Sequence, residues 1–428
     1  MQKRTRYIIL FGGFFIFFVL APLLIFYVGG FSYDLGSNRY VPTGILAVQT
    51  DPAGAEIFLD NKLTDTSPKN VRFLKPREYQ VSLRKDGYSS WEKRLPIWEN
   101  KVTWSAGNSK KVYLLLGHPL SISLNKDVAD FEIAGPEVYY LTGKSLVINN
   151  ATNQAGKQTI PLPKPVKKLS VSPDKNSFLL QGDSTSLVYS LTTEKFTDLS
   201  IFLKNFTSLQ FSPDGNLLGL SGNTLYKIAL DNKQKIQLAS DVLSFNVFKQ
   251  NLYFLKRDGS KSALFSASAL GQIANNAQLI LGRLPTFKQS VILVTGDKEV
   301  FVIGDGTLYR ITDKLESIAQ NLSNYWLNPT DNILTFSLAG ELYYFGNGEK
   351  NLVTRSSSKI TNAVLRPEIG YSFFTQSDQI IALELDTRDQ QNRYSLTDAS
   401  NVSKMVLDDK SKTLYYLAGN ELKFLNIR

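Results

Sequence analysis

Residues 206–230 read FTSLQFSPDGNLLGLSGNTLYKIAL, and their reading decides the fold. Residues 206–211 have strand composition, rich in aromatic, Leu and Thr side chains. Ser212-Pro213-Asp214-Gly215 is turn chemistry. Proline presets φ, aspartate bonds back to its own backbone, and glycine accepts a positive φ. A second strand follows at 217–220, a second turn at Ser221-Gly222-Asn223, and Leu225, Ile228 and Leu230 mark a third strand. Residues 236–238 offer a fourth.

The same grammar recurs at 166–191 (VKKLSVSPDKNSFLLQGDSTSLVYSL), 322–345, 360–385 and 402–425, with weaker copies starting near Val128, Val242 and Leu284. Neighbouring copies start roughly 40 residues apart, the period of a four-stranded propeller blade. One blade cannot bury both of its faces, but blades stacked around an axis cover one another. Eight copies can be counted, and seven remain if one weak copy is misread. The last copy ends at Arg428 after its third strand, while 119–124 (PLSISL) looks like a fourth strand with no blade before it. We expect this segment to pair with the last blade and close the ring, leaving no open edge. The propeller then spans 117–428.

Residues 43–116 differ in character. Strands are expected at 44–50, 55–60, 79–84, 91–97 and 112–116, with turns at Asp51-Pro52-Ala53-Gly54 and Lys85-Asp86-Gly87. Short strands at this spacing predict a small β-sandwich. The run from Gly44 through Ile97 resembles a PEGA domain. The resemblance rests on Thr50-Asp51-Pro52-Ala53-Gly54-Ala55, on AEIFLDNKL, on Thr66-Ser67-Pro68 and on EYQVSLRKDGY. Ala53 stands where the family's naming tetrapeptide has Glu, but the turn-forming Pro52 and Gly54 are kept. The resemblance implies a surface module of bacteria or archaea used for interaction or structure. It brings no catalytic residues. The blades resemble WD40-like and TolB-type propellers through Phe211-Ser212-Pro213-Asp214-Gly215 and Val171-Ser172-Pro173-Asp174. The Gly-His and Trp-Asp signatures of true WD40 repeats are missing, so this likeness concerns fold.

Residues 7–30 (YIILFGGFFIFFVLAPLLIFYVGG) hold no charge. Their length suits a hydrocarbon core of about 30 Å. The run is longer than a cleavable signal core, and no A-x-A site follows. It is expected to be an uncleaved transmembrane signal anchor, with Lys3, Arg4 and Arg6 holding residues 1–6 in the cytoplasm. Everything beyond Gly30 is then extracytoplasmic, joined by a polar linker at 31–42. The expected fold class is all-β with one N-terminal transmembrane helix, a PEGA-type sandwich and a propeller.

The 428 residues include no cysteine, which excludes disulfides, thiol catalysis and Cys-ligated metals. The formal charge is +10. Part of the excess lies in the tail, and much of the rest in the small domain, at Lys62, Lys69, Lys75, Arg77, Lys93 and Lys101. The propeller is nearly balanced. A nucleic-acid partner is therefore not expected, and a solvated basic surface is the ordinary reading.

Candidate chemistry is sparse. His118 is the single histidine and sits at the domain junction, which leaves little for a Ser-His-Asp triad or a zinc site. Asp174 and Asp214 occupy equivalent turns and read as turn caps rather than metal ligands; Thr330-Asp331, Glu368 and Asp408-Asp409 stand in the other copies. Gly304-Asp305-Gly306 lacks the ending of a phosphate loop and reads as a hairpin turn. Glu137, Glu299, Glu341, Glu384 and Glu421 are acid–base candidates by type alone. Sequons at Asn150, Asn205, Asn321 and Asn401 are read as chance. Trp91, Trp98 and Trp104 fall within one short stretch and are the candidate binding platform, with core or interface packing as the alternative. No cofactor is expected. The expected function is an envelope scaffold that recognises a protein or cell-surface polysaccharide. Alternatives are a propeller hydrolase acting on glycans or peptides, and a sensor or assembly factor.

Overall fold

The computed structural model describes residues 3–28, 30–34, 36, 38–107, 109–150, 156–270, 276–328, 333–408, 410 and 412–428. Among the described residues from 121 onward, eight four-stranded antiparallel sheets make up the ring. We number them as blades: 1 (128–161), 2 (168–198), 3 (206–239), 4 (242–284), 5 (290–319), 6 (324–355) and 7 (363–398). Blade 8 combines Val402–Leu407, Thr413–Ala418 and Glu421–Asn426 with Ser121–Asn125, which adds the outermost strand. Ser121 lies opposite Leu425, Ile122 opposite Phe424 and Ser123 opposite Lys423. The ring is thus shut by a strand from its own beginning.

Each blade hides its two faces against its two neighbours. Tyr139, Leu141 and Leu146 of blade 1 pack with Leu169, Phe178 and Leu180 of blade 2. Leu179 and Val188 on the other face of blade 2 meet Phe211, Leu217 and Ile228 of blade 3. The series continues around the ring until Tyr415, Leu417 and Leu422 of blade 8 meet Phe131, Val138 and Tyr140 of blade 1. Alternation along a strand sends successive side chains to opposite faces, so near-continuous apolar strands such as Val300–Gly304 supply two cores at once.

Polar ties on the innermost strands join several neighbours. Asn246 Nδ2 donates to Ile292 O at 2.8 Å, and Asn362 Nδ2 to Val402 O at 3.2 Å. Lys404 Nζ of blade 8 donates to Asp130 Oδ1 and Glu132 Oε1 of blade 1, both at 3.0 Å. Burial depresses the Lys404 ammonium, but Glu132 and Asp130 outweigh it and raise its pKa. Burial raises the Glu132 carboxyl, and Lys404 only partly offsets this.

The turn acids cap their own hairpins. Asp174 accepts from Ser172 Oγ at 2.5 Å and from the Asn176 amide at 3.1 Å. Asp214 accepts from the Ser212 hydroxyl, from the Asn216 amide at 3.3 Å and from Lys227 Nζ at 2.6 Å. Thr330-Asp331 and Asp409 lie outside the described residues. Burial acts to raise the Asp214 carboxyl, but Lys227, Ser212 and Asn216 outweigh it and hold the pKa at about 2, against an ordinary 3.8. A lowered folded pKa stabilises above the unfolded value and loses that contribution as pH falls through the folded one. Asp214→Ala is therefore expected to cost about 1–2 kcal/mol at neutral pH. In urea titrations the gap between the two proteins should close between about pH 4 and pH 2. A gap independent of pH across that range would show that the charge is not what the turn uses.

The small domain is a sandwich. One sheet runs Lys62–Thr66, Glu56–Leu59, Arg77–Arg84, Trp91–Ile97; the other runs Val102–Trp104, Gly44–Val48, Lys69–Leu74. Leu46, Val48, Ile57, Val81, Leu83, Trp91 and Leu95 fill the space between them.

Ahead of it, Lys3–Val28 forms one helix with Pro22 inside. Leu10, Phe11, Phe14, Phe15, Ile16 and Leu24 are exposed along it. Among the described residues no helix is long and apolar enough to cross a membrane. The segment expected as a polar linker is structured instead. Phe31–Asp34 pairs with Arg39–Pro42 as a hairpin, with Tyr33 opposite Tyr40. The aromatic cross-strand pair and the left-handed Asn38 in the turn account for it.

Candidate ligand-binding cleft between the two domains

Strand Trp91–Ile97 alternates, so Trp91, Lys93, Leu95 and Ile97 occupy the buried row. A lysine in that row needs partners. The turn between the third and fourth strands of blade 7 supplies them. Lys93 Nζ donates to the carbonyls of Asp386 (2.7 Å), Arg388 (2.8 Å) and Gln390 (3.0 Å), and lies 3.2 Å from Glu384 Oε2. The Lys93 side chain is 0% exposed and that of Glu384 9%. Glu384 also accepts from Trp91 Nε1 at 2.8 Å and from Asn392 Nδ2 at 2.7 Å. Sequence had placed Lys93 among the surface charges; it is the buried centre of the domain junction.

A second set of bonds surrounds this one. Arg388 donates to the carbonyls of Trp104 (2.9 Å) and Ser105 (3.0 Å) and pairs with Asp386 at 2.7 Å. Burial acts to raise the Asp386 carboxyl, but Arg388 and Lys93 outweigh it and hold it below the ordinary range. Tyr394 Oη donates to Ser90 O at 2.9 Å, and its pKa is raised, first by burial and then by Glu384. Leu116 N donates to Ile427 O at 2.9 Å, and Leu115 enters the core between blades 7 and 8. The small domain is therefore fixed to the ring by buried polar bonds and by shared core.

Beside this junction lies a cleft of about 760 Å³. The small domain contributes Pro96, Trp98, Val102, Trp104 and Tyr113. The ring contributes residues 344–347 of blade 6, Pro367, 369–371 and 384–388 of blade 7, and Asp297 of blade 5. These ring residues belong to first-to-second and third-to-fourth strand turns, as does the Ser-Pro-Asp-Gly turn. The cleft thus opens on that face of the propeller.

The three tryptophans divide. Trp98 is 59% and Trp104 48% exposed, and both line the cleft. Trp91 is 0% exposed with its N–H taken by Glu384, so it cannot join a platform; alternation along its strand turns it inward. Lys3, Arg4 and Arg6 fall in the N-terminal helix. His118 is exposed at the junction. Among the described residues, no group of three or more His, Asp or Glu side chains could hold a metal ion. The candidate glutamates do not converge. Glu137 accepts from Tyr139, Glu299 pairs with Arg310, Glu341 with Arg355 and Glu421 with Lys423, each within its own blade. Glu384 alone reaches the cleft, as part of the lock. Gly304 ends a strand and Asp305-Gly306 forms a hairpin turn, with the Asp305 carboxylate accepting from the amides of Lys288 and Gln289.

Residues 43–111 match the PEGA domain family. Among solved structures, the ring is similar to a crystal structure of the eukaryotic initiation factor, with 11% identity over 73% of this chain and 88% of that one, TM-score 0.52. It is also similar to streptogramin B lyase, at 12% identity, 73% and 97% coverage and TM-score 0.44. A third similarity is to Porphyromonas gingivalis dipeptidyl peptidase 4, at 12% identity, 69% and 56% coverage and TM-score 0.49. At such identities the likeness is one of fold. No curated protein matches the sequence.

Proposed function

We propose that this chain is a membrane-anchored, extracytoplasmic binding protein of a prokaryotic envelope, and that it recognises a protein or polysaccharide through the cleft between its PEGA domain and its propeller. The observation that carries this reading is the pair of exposed indoles, Trp98 and Trp104, on one wall of a cleft whose two halves are locked together. Exposed aromatic rings in a preformed recess bind sugar faces or peptide side chains at low ordering cost. Anchoring is supported by the uncharged run at 7–30 and by Lys3, Arg4 and Arg6 before it. Protease added to intact cells should then remove the propeller; a sheltered propeller would reverse the topology.

Binding can be tested with the full chain in nanodiscs against arrays of envelope polysaccharide fragments and peptides, read by tryptophan fluorescence. Trp98→Ala and Trp104→Ala are each expected to weaken a bound fragment roughly tenfold or more, about 1.4 kcal/mol. Melting should barely move, because both rings are already half in water. Unchanged affinity in the double variant would remove the cleft from consideration.

A further inference from the structure

The hairpin at 31–42 joins the helix to the PEGA domain through aromatic rings. Phe26, in the last turns of the helix, stacks on Tyr40 with centroids 4.6 Å apart and meets Phe31 edge-on at 5.7 Å. Tyr40 in turn meets Tyr33 at 5.2 Å. All four rings remain exposed despite these contacts. Their cluster is continuous with the exposed apolar side chains of the helix, and Arg39 is exposed on the same hairpin. Its base is tied down: Thr43 N donates to Gly30 O at 2.9 Å, Asn100 N to Thr43 O at 2.9 Å and Ile45 N to Lys101 O at 3.0 Å.

On the anchor reading, position along the chain says what covers these rings. At about 1.5 Å per residue the helix travels about 30 Å from Tyr7 to Phe26, the thickness of a hydrocarbon core. Phe26 and the hairpin then arrive at the outer boundary, where amphipathic rings and cations are favoured together.

We infer that Phe26, Phe31, Tyr33 and Tyr40, with Arg39, form a collar that seats in the headgroup layer of the outer leaflet and holds the PEGA domain at a fixed height above the bilayer. The inference rests on the anchor reading above and goes beyond it: the extracytoplasmic part stands on a lipid-bound foot instead of swinging on a tether. The occupant is a phospholipid surface.

The absence of cysteine makes the test clean. Tyr33→Cys and Tyr40→Cys, each leaving three rings in place, and Ile201→Cys, 94% exposed on the propeller, are labelled one at a time with an environment-sensitive fluorophore. The full chain is reconstituted into phosphatidylcholine–phosphatidylglycerol vesicles carrying a headgroup-level quencher, and flotation is scored in parallel. Unchanged melting confirms that each labelled chain is folded. The collar predicts flotation, with quenching at positions 33 and 40 several-fold greater than at 201. Flotation with 33 and 40 as unquenched as 201 overturns the collar and leaves the anchor standing. Failure to float overturns both.

Discussion

Replacing Lys93 by methionine is expected to destabilise the protein by about 3–5 kcal/mol, the largest loss from any single side chain at the domain junction. Methionine keeps most of the volume, so the loss comes from charge and hydrogen bonding. The carboxylate of Glu384 is left without its cation, and three carbonyls of the 386–390 turn lose their donor. A buried charge without a partner costs more than the pair is worth. The double variant Lys93→Met with Glu384→Gln should therefore be more stable than Lys93→Met alone. Its neutral amide oxygen can still accept from Trp91 Nε1, where the Glu384 carboxylate does now. Chemical denaturation should show one transition in the native protein and two in Lys93→Met, as the PEGA domain uncouples from the ring. A double variant no better than the single one would mean that lost packing governs the effect.

The second large effect concerns closure. Replacing Ile122 by proline removes the backbone donor that the strand completing blade 8 presents to Phe424. Ser121→Ala in the same chain takes the Ser121 hydroxyl from Tyr416 Oη, 2.5 Å away. Strand Glu421–Asn426 then faces solvent as an open edge, and the core between blades 8 and 1 loses its cover. The expected result in detergent is self-association that grows with concentration, seen by light scattering. Amide exchange should quicken across blades 8 and 1 before the other blades. A monomer with native exchange rates would mean that the ring stays shut without this pairing.

Most of the ring is legible in the sequence because blade chemistry is local. Ser212-Pro213-Asp214-Gly215 specifies its turn within four residues, and Val402–Leu425 repeats the grammar without needing to know its partner. The lock is not legible in that way. Lys93 and Glu384 meet only after the fold has joined segments far apart in sequence. One signal was present: strand Trp91–Ile97 places a lysine in the same alternating row as Trp91, Leu95 and Ile97. A charge in an apolar row either breaks the strand or marks a partner from elsewhere. The same alternation would have taken Trp91 out of the platform, since nearness in sequence is not nearness on a face. The stretch 31–42 reads as a linker in sequence because it is polar and contains Gly36; Tyr33 and Tyr40, which face each other across the hairpin, are the signal that outweighs this.

Blade 8 sets an order on the making of the protein. Its outer strand, 121–125, is made about 300 residues before its mate at 421–426. At about 5–20 residues per second the early strand waits for tens of seconds. Over that interval a nascent chain offers an unmated edge to its neighbours. Chains stalled or clipped before 421–426 have no means of finishing. They become substrates for holding chaperones and quality-control proteases, so strand 421–426 decides whether the ring is made whole.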